Sequence, residues 1–169
     1  MVEIARQLRL NAVEMLRQPG STRDFRFEVP GDAVAVVHDA LDGAIDLRLT
    51  LETLNDGITV RGTIATPWRG VCRRCLAPLT GVDIADVDEL YQKVVIDPDA
   101  FLIEDGQLDL VPLVRETALL QLDDERLCRP DCAGLCPQCG VDRNEESCDC
   151  GVEVRDERWA ALDGLELDR

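Results

Sequence analysis

Eight cysteines, at positions 72, 75, 128, 132, 136, 139, 148 and 150, are the residues of this 169-residue chain whose type and spacing carry chemistry. They form four close pairs: Cys72-x2-Cys75, Cys128-x3-Cys132, Cys136-x2-Cys139 and Cys148-x-Cys150. A short turn lets two thiolates face one ion, whereas structural disulfides need an oxidising compartment. The first 30 residues hold five Arg and four acids and contain no apolar export segment. The chain is therefore read as cytoplasmic, with reduced thiols. Zinc takes four ligands tetrahedrally, so eight thiols make two complete structural Zn2+ sites. Iron–sulfur ligation and metal-free thiols are the alternatives. Cys136-Pro-Gln-Cys139-Gly140 has the form of a zinc knuckle, in which Gly140 lets backbone amides bend toward the sulfurs. Cys72-Arg-Arg-Cys75 repeats its spacing.

Intact pairs can combine in three ways. The favoured scheme joins Cys72, Cys75, Cys128 and Cys132 as site 1 and Cys136, Cys139, Cys148 and Cys150 as site 2, which closes locally. The rival joins 72/75 with 136/139 and leaves 128/132 and 148/150 to pair around it. Cys132 and Cys136 are at most about 14 Å apart along the chain, so the two metals are close under any scheme. Four-thiolate zinc has no open position for water and is structural. His38 is the only histidine, and no phosphate-binding glycine motif is present. No enzyme and no small-molecule substrate are expected.

Charge narrows the partners. Against 18 Lys+Arg stand 34 Asp+Glu, a net −16. Residues 31–169 carry 13 basic and 30 acidic side chains, which disfavours general binding along a phosphate backbone. One window is an exception: Gly57 to Val82 holds Arg61, Arg69, Arg73 and Arg74 and no acid, with Trp68 beside them. Arginines with an aromatic can hold phosphates and stack on a base, so these five are the candidate RNA contacts. The alternative is a basic stripe that balances neighbouring acids. No stretch is long and apolar enough to enter a membrane.

The elements that position these residues follow from periodicity. Asn11 is a candidate N-cap for a helix over Ala12–Gln18, which Pro19-Gly20 stops. Asp24–Val29 alternates as a strand, and Val34–Val37 is a second candidate. Ile45, Leu47, Leu49 and Leu51 alternate with polar residues and predict a half-buried strand. Asn55-Asp56-Gly57 predicts a hairpin turn, through the positive φ that Asn and Gly tolerate, and Ile58, Val60 and Ile64 lie on the return strand. Leu79–Ile84 is a further strand, Asp97–Gly106 a loop, and Leu110–Leu122 an amphipathic helix. Asp156–Leu165 predicts a short C-terminal helix. The expected fold class is α+β, an antiparallel sheet with few helices and a Cys-rich C-terminal region. The expected organisation is a β-rich body (1–127), a cysteine-rich segment (128–151) tied to Cys72/Cys75, and a terminal helix (152–169).

The order of a β-rich half, Val71-Cys-Arg-Arg-Cys-Leu-Ala-Pro78, an acidic loop, a helix ending Leu119-Leu-Gln-Leu122, the run Leu127–Asn144 and Cys148-Asp-Cys150 resembles the YceD family. These are the large ribosomal RNA subunit accumulation proteins. Asp156-Glu-Arg-Trp-Ala-Ala-Leu162 is similar to the family's C-terminal signature. The departure is Gln121-Leu122-Asp123, where the family usually has a proline, which touches only the helix end. The resemblance implies a non-enzymatic role in synthesis, processing or stability of large-subunit (23S) ribosomal RNA. Members lacking the equivalents of Cys136–Cys150 keep a Cys or His group near 128/132, which agrees with the favoured pairing. The implied partners are that RNA, a basic ribosomal protein of the large subunit, or both. A redox-switched zinc chaperone and a zinc-stapled interaction domain unrelated to ribosomes are the competing readings.

Overall fold

The computed structural model describes residues 6–122, 125–151 and 158–159. Its centre is a five-stranded sheet in the order β2 (Thr22–Val29), β3 (Ile45–Thr53), β4 (Gly57–Val71), β5 (Pro78–Gln92), β6 (Phe101–Leu102). The first four strands are antiparallel, and β6 runs parallel to the end of β5. A small antiparallel pair, β1 (Arg9–Asn11) with β7 (Gln107–Asp109), sits apart. Helix α1 spans Ala12–Met15 and α2 spans Val111–Gln121. The fold is α+β, as the alternation of residues implies.

The inner face of the sheet is built from the residues that alternation selects. Ile45, Leu47, Leu49, Leu51, Ile58, Val60 and Ile64 are all buried, and Leu113, Val114 and Ala118 of α2 join them in one core. Each such side chain contributes roughly 1.5–3 kcal/mol of burial. The β4–β5 hairpin outgrows this core. β3 pairs with β4 only as far as Ala65, while β4 and β5 stay paired from Gly57↔Gln92 to Val71↔Pro78. The outer part of the hairpin is thus an arm, and Cys72–Cys75 form its tip.

Several expectations change in detail. Asn11 caps α1 by accepting from the Glu14 N–H (3.1 Å), but the helix ends at Met15 and turns carry the chain to Pro19. The hairpin forms over residues 54–57 without positive φ at Asn55, Asp56 or Gly57. Gly57 is needed for space instead: a Cβ there would lie 2.5 Å from the Tyr91 carbonyl oxygen on β5. Val34–Val37 is no strand. Gly31–Val34 form a 3-10 turn after Pro30, and Val36 N–H closes on the Gly31 carbonyl (2.8 Å), so Val34 and Val36 both face the core. The loop expected over Asp97–Gly106 contains β6, because Phe101 stacks on Tyr91 with centroids 5.0 Å apart. The helix expected over Asp156–Leu165 lies outside the described residues except for Arg158 and Trp159.

Arg126 locks the arm to the body. Its guanidinium lies 3.6 Å over the Trp68 ring of β4, bonds Asp83 Oδ2 of β5 at 2.7 Å, and donates to the Gln121 carbonyl at the end of α2 (2.6 Å). Trp68 Nε1 donates to the other oxygen of Asp83 (3.0 Å). Burial opposes ionisation of Asp83, but the bonds from Arg126 and Trp68 outweigh it and hold this carboxyl below the usual range. A depressed carboxyl stabilises the fold fully above about pH 4 and loses that contribution as pH falls below. Arg126→Ala is expected to lower stability by about 1–3 kcal/mol, read from the denaturant midpoint, with the sheet intact by circular dichroism. It should also flatten the loss of stability below pH 4. Unchanged acid sensitivity would show that Asp83 does not depend on Arg126.

Candidate metal centres

Two groups of four sulfurs form, each with all Sγ atoms within 4.8 Å of one another. Cys72 and Cys75 at the arm tip meet Cys128 and Cys132, and Cys136, Cys139, Cys148 and Cys150 gather beside them. In the first group Sγ of Cys72 and Cys132 lie 3.8 Å apart and Sγ of Cys75 and Cys128 3.7 Å apart. Ligands at about 2.3 Å from a tetrahedral ion stand about 3.8 Å from one another, so the sulfurs already have the spacing a zinc-sized cation imposes.

Each group is built on a knuckle of the same geometry. Leu76 N–H bonds the Cys72 carbonyl (2.8 Å) and Cys72 N–H the Ala77 carbonyl (2.8 Å). In the second, Gly140 N–H bonds the Cys136 carbonyl (2.8 Å) and Cys136 N–H the Val141 carbonyl (2.8 Å). The turn closes when the residue after the second cysteine has positive φ, which is 77° at Gly140 and 61° at Leu76. Folded so, the backbone N–H of Cys75, with those of Cys128 and Arg74, lowers the Cys72 thiol to about 6 against burial. The N–H groups of Cys139 and Gln138 do the same for Cys136, also to about 6. By contrast, bonding to Cys132 and burial push Cys128 up to about 12, and bonding to Cys139 and burial push Cys150 up to about 12. Each tetrad thus sets lowered thiols against thiols that resist ionisation, Cys132 being lowered and Cys75 raised as well in the first, because four negative sulfurs need a cation among them.

The sulfurs also have partners beyond the tetrads. Asn144, in the loop between Cys139 and Cys148 of the second group, donates from Nδ2 to Cys132 Sγ of the first (3.4 Å). Its Oδ1 accepts from Ala133 N–H (2.9 Å) and Arg129 (2.7 Å), which fixes the amide. Arg143 reaches Cys136 Sγ at 3.8 Å, and Arg74 donates to the Cys132 carbonyl at 2.9 Å while its own carbonyl accepts from Leu135 N–H (2.9 Å). These polar residues have no spacing signature in the sequence. Only their place between ligands marks them.

The other candidates lie on β4 and at the arm tip and meet groups of the same chain. Arg61 bonds Asp88 at 2.9 Å with Glu52 at 4.0 Å. Arg69 reaches Asp42 at 3.9 Å and the Asp39 carbonyl at 3.4 Å, and Arg73 pairs with Glu125 at 3.0 Å. Trp68 has one face under Arg126. His38 is exposed, its Nδ1 accepting from Ala40 N–H. Among the described residues no helix is long and apolar enough to cross a membrane.

An uncharacterised protein of Mycobacterium tuberculosis is 30% identical across 94% of this chain and 81% of its own length. One of Mycobacterium leprae is 29% identical across 74% of this chain and 62% of its own. The chloroplastic large ribosomal RNA subunit accumulation protein YCED homolog 1 of Arabidopsis thaliana is 30% identical over 35% of this chain and 18% of its own. No solved structure matches. The family model described as large ribosomal RNA subunit accumulation protein YceD matches residues 60–166, a span that runs from the arm through both cysteine groups, and the chain belongs to the YceD family.

Proposed function

We propose that this chain is a non-catalytic ribosome-assembly factor of the cytoplasm, stapled by two structural zinc ions, that supports large-subunit ribosomal RNA by binding a basic protein of the large subunit. Family membership ties it to accumulation of that RNA. What supports a protein partner over direct RNA contact is where the arginines of the acid-free window point. Arg61, Arg69 and Arg73 each lie against a carboxylate brought from elsewhere in the chain, and Arg74 serves the Cys132 carbonyl. A phosphate would have to displace those partners, whereas a basic protein meets the acidic surface of a chain with net charge −16 directly. Affinity purification of the tagged chain after in-cell crosslinking tests this. Basic large-subunit proteins should be recovered at undiminished yield after ribonuclease treatment and from the Arg61→Gln/Arg69→Gln double variant. If capture is lost in both cases, the partner is RNA, met by Arg61, Trp68, Arg69, Arg73 and Arg74.

Zinc fits both tetrads in donor type, number and spacing. Site 1 would be held by Cys72, Cys75, Cys128 and Cys132, and site 2 by Cys136, Cys139, Cys148 and Cys150. The body over 1–127 and the cysteine-rich segment over 128–151 then act as one piece, because site 1 takes two ligands from each. Elemental analysis should return two zinc per chain, and one zinc, or iron, would overturn the assignment. The Asn144 amide bond to Cys132 makes it a support for site 1 although it sits in the loop of site 2. Partners of this kind are worth about 10–100-fold in metal affinity. Asn144→Ala should therefore release one zinc at least about tenfold more readily to a chelator, with the second unaffected. Equal release of both would remove Asn144 from this role.

A further inference from the structure

The sheet has two edges, and they differ in charge. β2 forms one edge and carries Arg23 and Arg26 against Asp24 and Glu28, a balanced strand. β5 forms the other for most of its length, because β6 covers only Tyr91 and Gln92. From Pro78 to Leu90 no described backbone group bonds to β5 on the side away from β4. That stretch carries Asp83, Asp86, Asp88 and Glu89 and no basic residue. An unpaired strand edge is a template for another strand, and natural sheets blunt such edges with charged side chains, lysine above all, or with proline. Here the charges past Pro78 are all acidic, which repels another acidic strand but not a basic one.

Side chains along this edge sort into two zones. On the outer face of the arm, Val82 and Ile84 are 58% and 68% exposed. With Ala65 and Pro67 of β4, and with the paired Asp46 and Arg48 of β3, they line a shallow depression of about 380 Å³. Toward the sheet, Asp86 and Asp88 follow on the same face. Glu89 lies opposite, its carboxyl raised by burial and then by the nearby Asp88, Asp99 and Glu116. Arg61 is the described counter-charge on this zone, through Asp88. The edge therefore offers an apolar stretch followed by carboxylates, and along both the main-chain groups on this side have no partner among the described residues.

We propose that the β5 edge from Pro78 to Leu90 is a docking site for an extended basic segment of a partner protein, added to the sheet as a further strand. This rests on the basic-protein reading of function and names the surface it would use. Main-chain hydrogen bonds to β5 supply the affinity, apolar side chains of the segment cover Val82 and Ile84, and its lysines or arginines meet Asp86 and Glu89. The same charges argue against a second copy of this chain on the edge, since each copy would bring Asp86 and Glu89, which have no described counter-charge, to those of the other.

Hydrogen exchange of the full zinc-loaded chain tests the proposal, with a synthetic twelve-residue peptide alternating lysine and valine as probe. The peptide should slow exchange of alternate amides between Pro78 and Leu90 and leave β2 unchanged, while a valine–glutamate peptide does nothing. Val82→Lys/Ile84→Lys should weaken peptide binding at least tenfold with an unaltered melting temperature, and Val82→Thr/Ile84→Thr should weaken it less. The site is refuted if these amides are already protected in the free chain, because the edge is then covered by the chain itself. It is equally refuted if protection falls on β2, if it appears only on self-association, or if an RNA oligonucleotide protects β5 as well as the basic peptide does. The double-lysine variant separates the two levels. If it still captures basic large-subunit proteins, this surface is wrong and the functional reading stands. If no basic protein is captured by either form, the functional reading fails by itself.

Discussion

The arm tip and the cysteine-rich segment have no apolar core of their own, and that constraint governs the rest. Among the described residues the buried ones there are Cys72, Cys75, Cys132, Gly134 and Cys136, with Ala77, Leu79, Leu127 and Leu135 packed around the first three cysteines. Burial of so little apolar surface cannot offset the cost of ordering the chain from Leu127 to Gly151, at roughly 1–2 kcal/mol of backbone entropy per residue. A cation shared by four sulfurs would do there what a core does elsewhere. The first tetrad brings residues distant in sequence to one point, the far abutment of the long hairpin. Arg126 is the near one, tying the same strands to the end of α2.

This division explains what could be read from the sequence. The central strands were legible because one face of the sheet is buried, and burial enforces the alternation at Ile45–Leu51 and Ile58–Ile64. The cysteine groups were legible because local spacing already restricts which sulfurs can share an ion. Less was legible wherever one residue's role is set by a distant backbone. Gly57 reads as a turn glycine, yet its role is the close approach of β5. Val34–Val37 reads as a strand, yet closure onto Gly31 coils it. The length of the arm was hidden too, since Thr80–Asp86 alternates only half-buried side chains, and nothing local distinguishes an arm from a strand within the sheet.

Charge shows the same gap between chain and space. The window from Gly57 to Val82 is free of acid in sequence, but antiparallel pairing sets it against the acidic β5, and loops bring Asp42 and Glu125 to it. A basic stripe in one dimension becomes a set of local pairs in three. Exposed pairs of this kind are worth little to stability, about 0–1 kcal/mol each. Their consequence is for recognition, because they engage the arginines and leave Asp86 and Glu89 of β5 with no arginine partner among the described residues.

The two knuckles show where such a structure can hold strain. Both require positive φ after the second cysteine, and a leucine in that conformation costs roughly 1–3 kcal/mol that a glycine does not. At Leu76 the side chain is exposed, so no burial offsets the cost. The conformation persists because its surroundings determine it twice over: the hairpin fixes Cys72 and Ala77 from one side, and Arg126 and Leu135 bond Arg73 and Arg74 from the other. The second knuckle has a lighter frame, the single bridge between Leu135 and Asp142 with the bond from Arg143 N–H to the Gly134 carbonyl, and its Cys139 is exposed. There the positive φ falls on Gly140, which adopts it without the cost that Leu76 bears. The strained turn thus sits where the long hairpin holds it, and the unstrained one where the chain closes locally.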